Sequence, residues 1–173
     1  MKKTLASFLL TITAATLVLC SFSPLVEAKT AVDGYSDALR EIRAQRTMAE
    51  SRVKRIKSKF KPTSLEYNEA EKLFSDAHAQ FDGYVTTIAS MIRDGEKKPN
   101  FDSISKDAIE ANKKFINYVD NITNVAPTNF TIDPVDVSLK IITWVKKNKQ
   151  DKRNEKAANF EKNTTWREWS NIS

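Results

Sequence analysis

The chain has 173 residues, of which 28 are Lys or Arg and 22 are Asp or Glu, for a formal net charge of +6. One histidine and one cysteine are too few for the usual zinc or di-metal ligand sets, so we expect neither a metal nor a cofactor. Three glycines and five prolines leave few breakers, and this composition predicts helices.

The first segment, residues 1–28, has the pattern of a secretory signal peptide. A basic start precedes an apolar run, and "VEA" supplies small residues at the cleavage positions. We therefore expect cleavage between Ala28 and Lys29 and an exported chain, either periplasmic or secreted. The alternative is a membrane-tethered lipoprotein lipidated at Cys20, although Leu19 is larger than the residue usual before that cysteine. The apolar run is shorter than the ~20 residues that span a bilayer, so no transmembrane helix is expected in the mature chain.

Three segments after the signal peptide carry apolar residues at alternating steps of three and four. This spacing places them on one face of a helix, with the period of a coiled coil. The prediction is an all-α antiparallel bundle of three to four long helices with heptad seams, and the same seams would also serve a homo-oligomer. The seams are Val32, Tyr35, Leu39, Ile42, Ala49, Val53, Ile56 and Phe60; Tyr67, Ala70, Phe74, Ala77, Phe81, Tyr84, Ile88 and Met91; and Phe101, Ile104, Ala108, Ala111, Phe115, Tyr118 and Ile122.

Arg46 is the one break in the first seam. Its stem is expected to cover apolar surface while its charged head reaches water.

Local signals predict where these helices begin and end. Thr63 with Glu66 forms a capping-box pattern, Gly95 is a helix stop, and Asp133 before Pro134 is a helix start. The predicted helices cover residues 31–60, 64–94, 102–124 and 134 to beyond 145.

A basic segment, "RVKRIKSKFK", ends the first predicted helix at residues 52–61. It has six basic residues and no acid, and its apolar residues keep the seam, so its charges are expected on the outer face. One interpretation is a solvated face with cations near a helix C-terminus. The other is attraction to anionic lipid, envelope polysaccharide or an acidic partner. The residues concerned are Arg52, Lys54, Arg55, Lys57, Lys59 and Lys61.

A second basic segment, "KKNKQDKRNEK", follows the apolar start of the fourth helix. It has no apolar residue, glycine or proline, so its backbone can stay helical with nothing to bury. We expect residues 29–145 to form the bundle and residues 146–173 to form a basic helical extension with a Trp-containing tail. Residues 146–156 are expected to be mobile and to leave the core, and residues 157–160 and 164–173 are then able to fold back onto the bundle. The same two interpretations apply to its basic residues, which are Lys146, Lys147, Lys149, Lys152, Arg153 and Lys156.

Trp166 and Trp169 lie three residues apart in this tail. They are expected either to close the open end of the core or to contact a membrane interface or a partner, since tryptophan suits each of these places.

The sequence predicts a protein that is not an enzyme. His78 is the single histidine, no Gly-rich phosphate loop occurs, and no pair of carboxylates is marked as catalytic. We expect a binding or scaffolding module of the cell envelope, with an unknown protein or an anionic envelope component as partner and no nucleic acid. Size, basicity and export also resemble periplasmic holdase chaperones, so a chaperone-like or stress-response protein is the main alternative. A hydrolase with unmarked carboxylates is the third.

Overall fold

The computed structural model describes residues 34–95, 100–126 and 132–173, which form five α-helices and no β-strand. This confirms the all-α class, with five helices where three to four were predicted. The predicted signal peptide, its cleavage site, Cys20 and the first seam position, Val32, lie outside the described residues. The helices are α1 (Gly34–Lys59), α2 (Leu65–Asp94), α3 (Phe101–Ile122), α4 (Pro134–Lys146) and α5 (Gln150–Thr164), and a short 3₁₀ turn (Trp169–Asn171) follows them.

Two of the predicted helix boundaries are confirmed by their capping contacts. Asp133 precedes Pro134 as the N-cap of α4, and its Oδ1 accepts a hydrogen bond from the N–H of Val135 at 2.9 Å. Gly95 ends α2 with a φ of 78°, and its N–H donates to the carbonyl of Met91. These ends are therefore set by residues that local chemistry identifies without tertiary information.

The predicted capping box at Thr63 is wrong by one residue. Ser64 is the N-cap of α2, and its Oγ accepts a hydrogen bond from the N–H of Tyr67 at 3.2 Å. Both residues have a hydroxyl, so the sequence alone does not decide which of them adopts the extended backbone of an N-cap.

Ring contacts between α2 and α3 show how these helices run. Phe74 lies 5.4 Å from Phe115, while Tyr84 lies 5.9 Å from Phe101, measured between ring centroids. Residue numbers rise along one helix as they fall along the other, so α2 and α3 are antiparallel.

Two polar pairs inside the core set the register of α1 on α3. Asn112 Nδ2 donates to Gln45 Oε1 at 3.0 Å, and the Nη2 of Arg52 donates to Asp120 Oδ2 at 3.0 Å. All four residues are buried, and the pairs run in the same direction along both helices, so α1 and α3 are parallel. A slip of one turn would leave these groups unpaired, which costs about 1–3 kcal/mol for an amide and more for a charge.

The predicted seams form most of the core. In α2 all seven seam positions from Ala70 to Met91 are buried, and the neighbouring Val85 and Ile92 are buried with them. The seams of α1 and α3 pack in the same cluster. Tyr35 and Phe101 at their starts are buried, and the half-buried positions are Leu39, Phe60, Ile104, Tyr118 and Ile122. These seams therefore lie inside the chain's own core.

Beyond Lys146 the chain does not continue as the predicted extension. It turns, and α5 packs on α2 and α1 within the same unit, Gly34–Ser173. Ala157, Phe160 and Thr164 recur at helical spacing and are buried. None of these three residues lies in 146–156, the stretch predicted to be polar all round, and Ala157 and Phe160 belong to the segment 157–160 that was expected to be able to fold back.

Arg46 joins α1 to the end of α5. Its Nη1 donates to the carbonyl of Asn163 at 2.8 Å and to that of Thr165 at 3.4 Å. The head was expected to reach water, but it binds carbonyls at a helix C-terminus, where a cation is favourable.

Candidate functional site

The two arginines of the segment 52–61 bind a carboxylate of the core. Arg52 Nη2 lies 3.0 Å and Arg55 Nη1 lies 2.8 Å from the carboxylate of Asp120, which is 1% exposed. A buried carboxylate is tolerated only with partners of this kind. These two cations therefore compensate an internal charge and do not lie on a free outer face.

Two lysines of the same segment bind backbone carbonyls. Lys57 Nζ donates to the carbonyls of Trp169 at 2.5 Å and Ile172 at 2.7 Å, and it lies 5.8 Å from the centre of the Trp169 ring. Lys59 Nζ donates to the carbonyl of Thr123 at 3.4 Å. These contacts hold the C-terminal residues and the end of α3 against α1.

Lys54 and Lys61 are the remaining cations of this segment, and both are exposed. Of the six predicted binding residues in this segment, the structure thus leaves two whose side chains make no hydrogen bond or ion pair with the described residues. The residues that hold the other four, above all Asp120, were not identified from the sequence. The only feature of the sequence that pointed to Asp120 was its place next to Val119, which is buried.

The structure places both C-terminal tryptophans in the core. Trp166 is 4% exposed and lies 4.6 Å from the Phe81 ring, while Trp169 is 7% exposed and donates from Nε1 to the hydroxyl of Tyr67 at 2.9 Å. Their position corresponds to the first of the two expected places, closure of the core.

Four lysines of the second basic segment lie at or beside the turn between α4 and α5, with Lys146 as the last residue of α4 and Lys152 in the first turn of α5. All four are exposed, and none makes an ion pair with the described part of the chain. We call this group the lysine turn: Lys146, Lys147, Lys149 and Lys152.

The other two cations of this segment lie against the bundle. Arg153 donates to Gln150, and its guanidinium occupies the space where a side chain on Gly95 would project. Lys156 Nζ lies 5.3 Å from the centre of the Tyr35 ring. The structure therefore separates Arg153 and Lys156 from the four residues of the lysine turn.

Tyr35 holds the helices on both sides of the lysine turn. Its hydroxyl donates to the carbonyl of Lys156 at 3.1 Å and accepts from Asn159 Nδ2 at 2.8 Å, so it fixes α5. Its ring lies 5.3 Å from that of Trp144 near the end of α4. Burial raises the pKa of the Tyr35 hydroxyl, so it remains a donor at neutral pH. The sequence marked this residue only as a seam position.

Two side-chain amides also hold the turn in place through hydrogen bonds to backbone carbonyls. Asn148 Nδ2 donates to the carbonyl of Trp144 at 2.6 Å, and Gln150 Nε2 donates to the carbonyl of Arg93 at the end of α2 at 2.7 Å. The lysines thus lie on a backbone that is tied to α1, α2 and α4. No sequence signal pointed to these two amides.

The two basic segments lie at opposite ends of the bundle. The lysine turn is next to the start of α1 and the end of α2, since Trp144 contacts Tyr35 and Val145 lies beside Gly95. The segment 52–61 ends α1 and contacts the end of α3 through Thr123. The charges therefore do not form one continuous stripe.

Features of an enzyme site are sparse in the described residues. His78 is half-buried, with Nε2 3.4 Å from a backbone carbonyl, and no group of three His, Cys, Asp or Glu could hold a metal there. Asp76, Asp107 and Glu110 do line a shallow depression of about 240 Å³ between α2 and α3. These carboxylates are exposed, and Glu110 is 3.3 Å from Lys114, so nothing distinguishes a general acid from a base.

Comparison with known proteins adds no family to this description. No protein-family model, curated protein or solved structure matches the chain. None of the helices in residues 34–95, 100–126 and 132–173 is long and apolar enough to cross a membrane.

Proposed function

We propose that this chain is an exported, non-enzymatic antiparallel bundle with coiled-coil-like seams that binds anionic lipid surfaces of the cell envelope through the lysine turn. The observation that supports this proposal is the concentration of four exposed lysines, without ion-pair partners among the described residues, at and beside one turn. A protein that attaches to an envelope surface in this way acts as a binding or scaffolding module.

Binding to an anionic membrane is energetically more favourable through the lysine turn than through the segment 52–61. A Lys near an anionic membrane contributes about 1 kcal/mol, provided that its charge is not already paired. Arg52 and Arg55 would have to leave Asp120, which would then be a buried charge without these two cations. The residues of the lysine turn have no such contact to break.

The same argument predicts strong salt dependence. The screening length is about 10 Å at 0.1 M ionic strength and about 30 Å at 0.01 M, so the four charges act together only at low salt. The turn is fixed by Tyr35, Asn148 and Gln150, so little backbone order has to be gained on binding.

The test is co-sedimentation with vesicles that contain anionic lipid and with neutral vesicles, at low and at physiological salt. Replacement of all four residues of the lysine turn by Gln should weaken anionic binding by about 4 kcal/mol, on the order of 10³-fold at low salt. The matched control changes four exposed lysines elsewhere to Gln and alters the net charge equally. Its positions are Lys72, Lys106, Lys113 and Lys162.

Each outcome separates the proposal from its competitors. Absence of binding to anionic vesicles at low salt would contradict it. Equal losses in the two Gln variants would show attraction by net charge alone and no role for the turn. Suppression of client aggregation that survives both variants would favour the chaperone-like alternative.

A further inference from the structure

The outer side of α1 carries a continuous polar stripe. Its residues recur at steps of four, three, four, four, three and four, so they share one face of the helix and span about 33 Å. All of them are exposed, and none is acidic. We call this group the α1 stripe: Ser36, Arg40, Arg43, Thr47, Ser51, Lys54 and Ser58.

The lack of exposed acids distinguishes α1 from the other helices. Over Gly34–Lys59, all of which the structure describes, no exposed residue is a carboxylate. Every other described helix exposes at least one, for example Glu66 in α2, Asp107 in α3, Asp136 in α4 and Asp151 in α5. A surface with charges of one sign attracts anions, whereas a surface of mixed sign largely cancels its own field.

Two of the three acids of α1 are half-buried and paired with other segments. Glu41 Oε1 lies 2.6 Å from Lys140 Nζ in α4, and Glu50 Oε2 lies 2.7 Å from Arg167 Nη2 near the C-terminus. These carboxylates lie at the flanks of α1, where the partner cations compensate their charge. They therefore leave the positive charge of the α1 stripe in place.

The cations of the α1 stripe can bind an anion without breaking a structural contact. Arg40 is paired with Asp37, the third acid, at 2.9 Å, but its side chain is 75% exposed and its guanidinium has further N–H donors. The side chains of Arg43 and Lys54 make no hydrogen bond or ion pair with the described residues. In this they differ from Arg52 and Arg55, which a buried carboxylate already holds.

The hydroxyl groups of the α1 stripe act as acceptors. Thr47 Oγ1 donates to the carbonyl of Arg43 at 3.0 Å, and Ser51 Oγ and Ser58 Oγ donate to carbonyls of the preceding turn at 2.9 Å each. Ser51 Oγ also accepts from Arg52 Nη1 at 3.2 Å. Because these protons are used within the helix, the oxygens offer their remaining lone pairs to a ligand. A ligand that fits them brings its own hydrogen-bond donors.

We propose that the α1 stripe binds a linear acidic polysaccharide. The anionic groups of such a polymer bind the three cations of the stripe, and its sugar hydroxyls donate to the side-chain oxygens between them. A small anion fits less well, since Arg43 and Lys54 are about 16 Å apart along the helix, which exceeds the screening length of about 10 Å at 0.1 M ionic strength. An anionic polymer without hydroxyl groups would use the cations alone.

The linear arrangement makes the affinity depend on polymer length. Single contacts between exposed charges are weak and are screened by salt, so binding requires several contacts at once. A chain shorter than the α1 stripe reaches only some of them. Affinity should therefore rise with chain length until the polymer covers about 33 Å, and it should fall as salt is added.

This inference does not depend on the proposed membrane role. The α1 stripe contains no residue of the lysine turn, and its test contains no lipid. Variants of the stripe leave the lysine turn unchanged and should bind anionic vesicles like the wild type. Failure of polysaccharide binding and failure of vesicle binding are thus measured separately.

The first test is fluorescence anisotropy with labelled oligogalacturonate, a chain of uronic acids, at low and at physiological salt. The wild type should bind it, and neutral dextran should not compete. A variant with Arg40→Gln, Arg43→Gln and Lys54→Gln should bind at least about tenfold more weakly at low salt. The matched control changes three exposed lysines of other helices, by Lys72→Gln, Lys106→Gln and Lys113→Gln, and should bind like the wild type.

The second test examines the hydroxyl groups without changing any charge. A variant with Thr47→Val, Ser51→Ala and Ser58→Ala keeps the helix, since alanine is a good helix former. It should bind oligogalacturonate about tenfold more weakly and should bind polyacrylate, which has carboxylates but no hydroxyl groups, like the wild type.

Three outcomes would overturn the proposal. The first is a wild type that does not bind oligogalacturonate at low salt. The second is an equal loss in the two Gln variants, which would show attraction by net charge alone. The third is a hydroxyl variant that binds both polymers as the wild type does, which would leave no recognition of a sugar.

Discussion

The segments 52–61 and 146–156 each contain six basic residues, but the structure uses them in opposite ways. In the first, Arg52 and Arg55 share the buried Asp120, and Lys57 binds two carbonyls of the C-terminal segment. In the second, the four residues of the lysine turn are exposed on a turn held by other side chains. A count of charges therefore does not identify a binding surface, because a carboxylate or carbonyl from a distant part of the chain can already pair with them.

The largest effect is expected from the buried carboxylate at the first end. Asp120→Ala leaves Arg52 without its main partner in the core and should lower the free energy of unfolding by about 3–5 kcal/mol. Urea denaturation measures this change. Asp107→Ala, an exposed aspartate on the same helix, is the control and should change stability by less than about 0.5 kcal/mol. Similar losses in both variants would refute a structural role for the first segment.

A smaller effect is expected from the lysine that binds the C-terminal carbonyls. Lys57→Met keeps the stem and removes the ammonium, so we expect a loss of about 1.5–3 kcal/mol and greater acrylamide quenching of Trp169 fluorescence. Lys54→Met changes an exposed lysine of the same segment and should leave both quantities unchanged. If the two variants behave alike, Lys57 does not hold the C-terminal segment.

Alkaline pH should weaken the core between the two ends. Burial raises the pKa of Tyr84, and the nearby charges of Glu41 and Asp133 raise it further. As pH rises, the Tyr84 hydroxyl therefore loses its proton first in the unfolded chain, near pH 10. The contribution of this hydroxyl to folding stability is present below pH 10 and is lost as pH rises above it. The slope is about 1.4 kcal/mol per pH unit for one tyrosine. Urea denaturation at pH 9 to 11 should show a shallower decline for Tyr84→Phe, and identical slopes would contradict this assignment.

The smallest effects come from two glycines that differ in their surroundings, Gly83 within α2 and Gly95 at its C-cap. Gly95→Ala forces a left-handed residue to carry a Cβ that meets the Arg153 guanidinium, and should destabilise by about 1–2 kcal/mol. Gly83→Ala adds a methyl group into open space within the helix, and should stabilise by about 0.5–1 kcal/mol. Thermal unfolding measures the stability change of both variants. Changes in the same direction would show that α5 does not pack closely at the lysine turn.

The seams and the cap at Asp133 were predictable because they depend on neighbours along the chain. Apolar periodicity places residues on a face, and an Asp before Pro supplies an acceptor where the helix needs one. The packing of α5 was not predictable, because its buried stripe has a single large apolar residue, Phe160. Its position depends instead on contacts with Tyr35, Arg46 and Gln150 that are far apart in sequence.

The sequence by itself determined the helices, their apolar faces and the residues available for charge, because propensity and periodicity act within a few turns. Only the tertiary structure decided which charges are free. Asp120 lies 68 and 65 residues from its two arginine partners, and the carbonyls bound by Lys57 lie more than a hundred residues away. Pairing over such distances follows from the way the helices pack, and no local pattern specifies it.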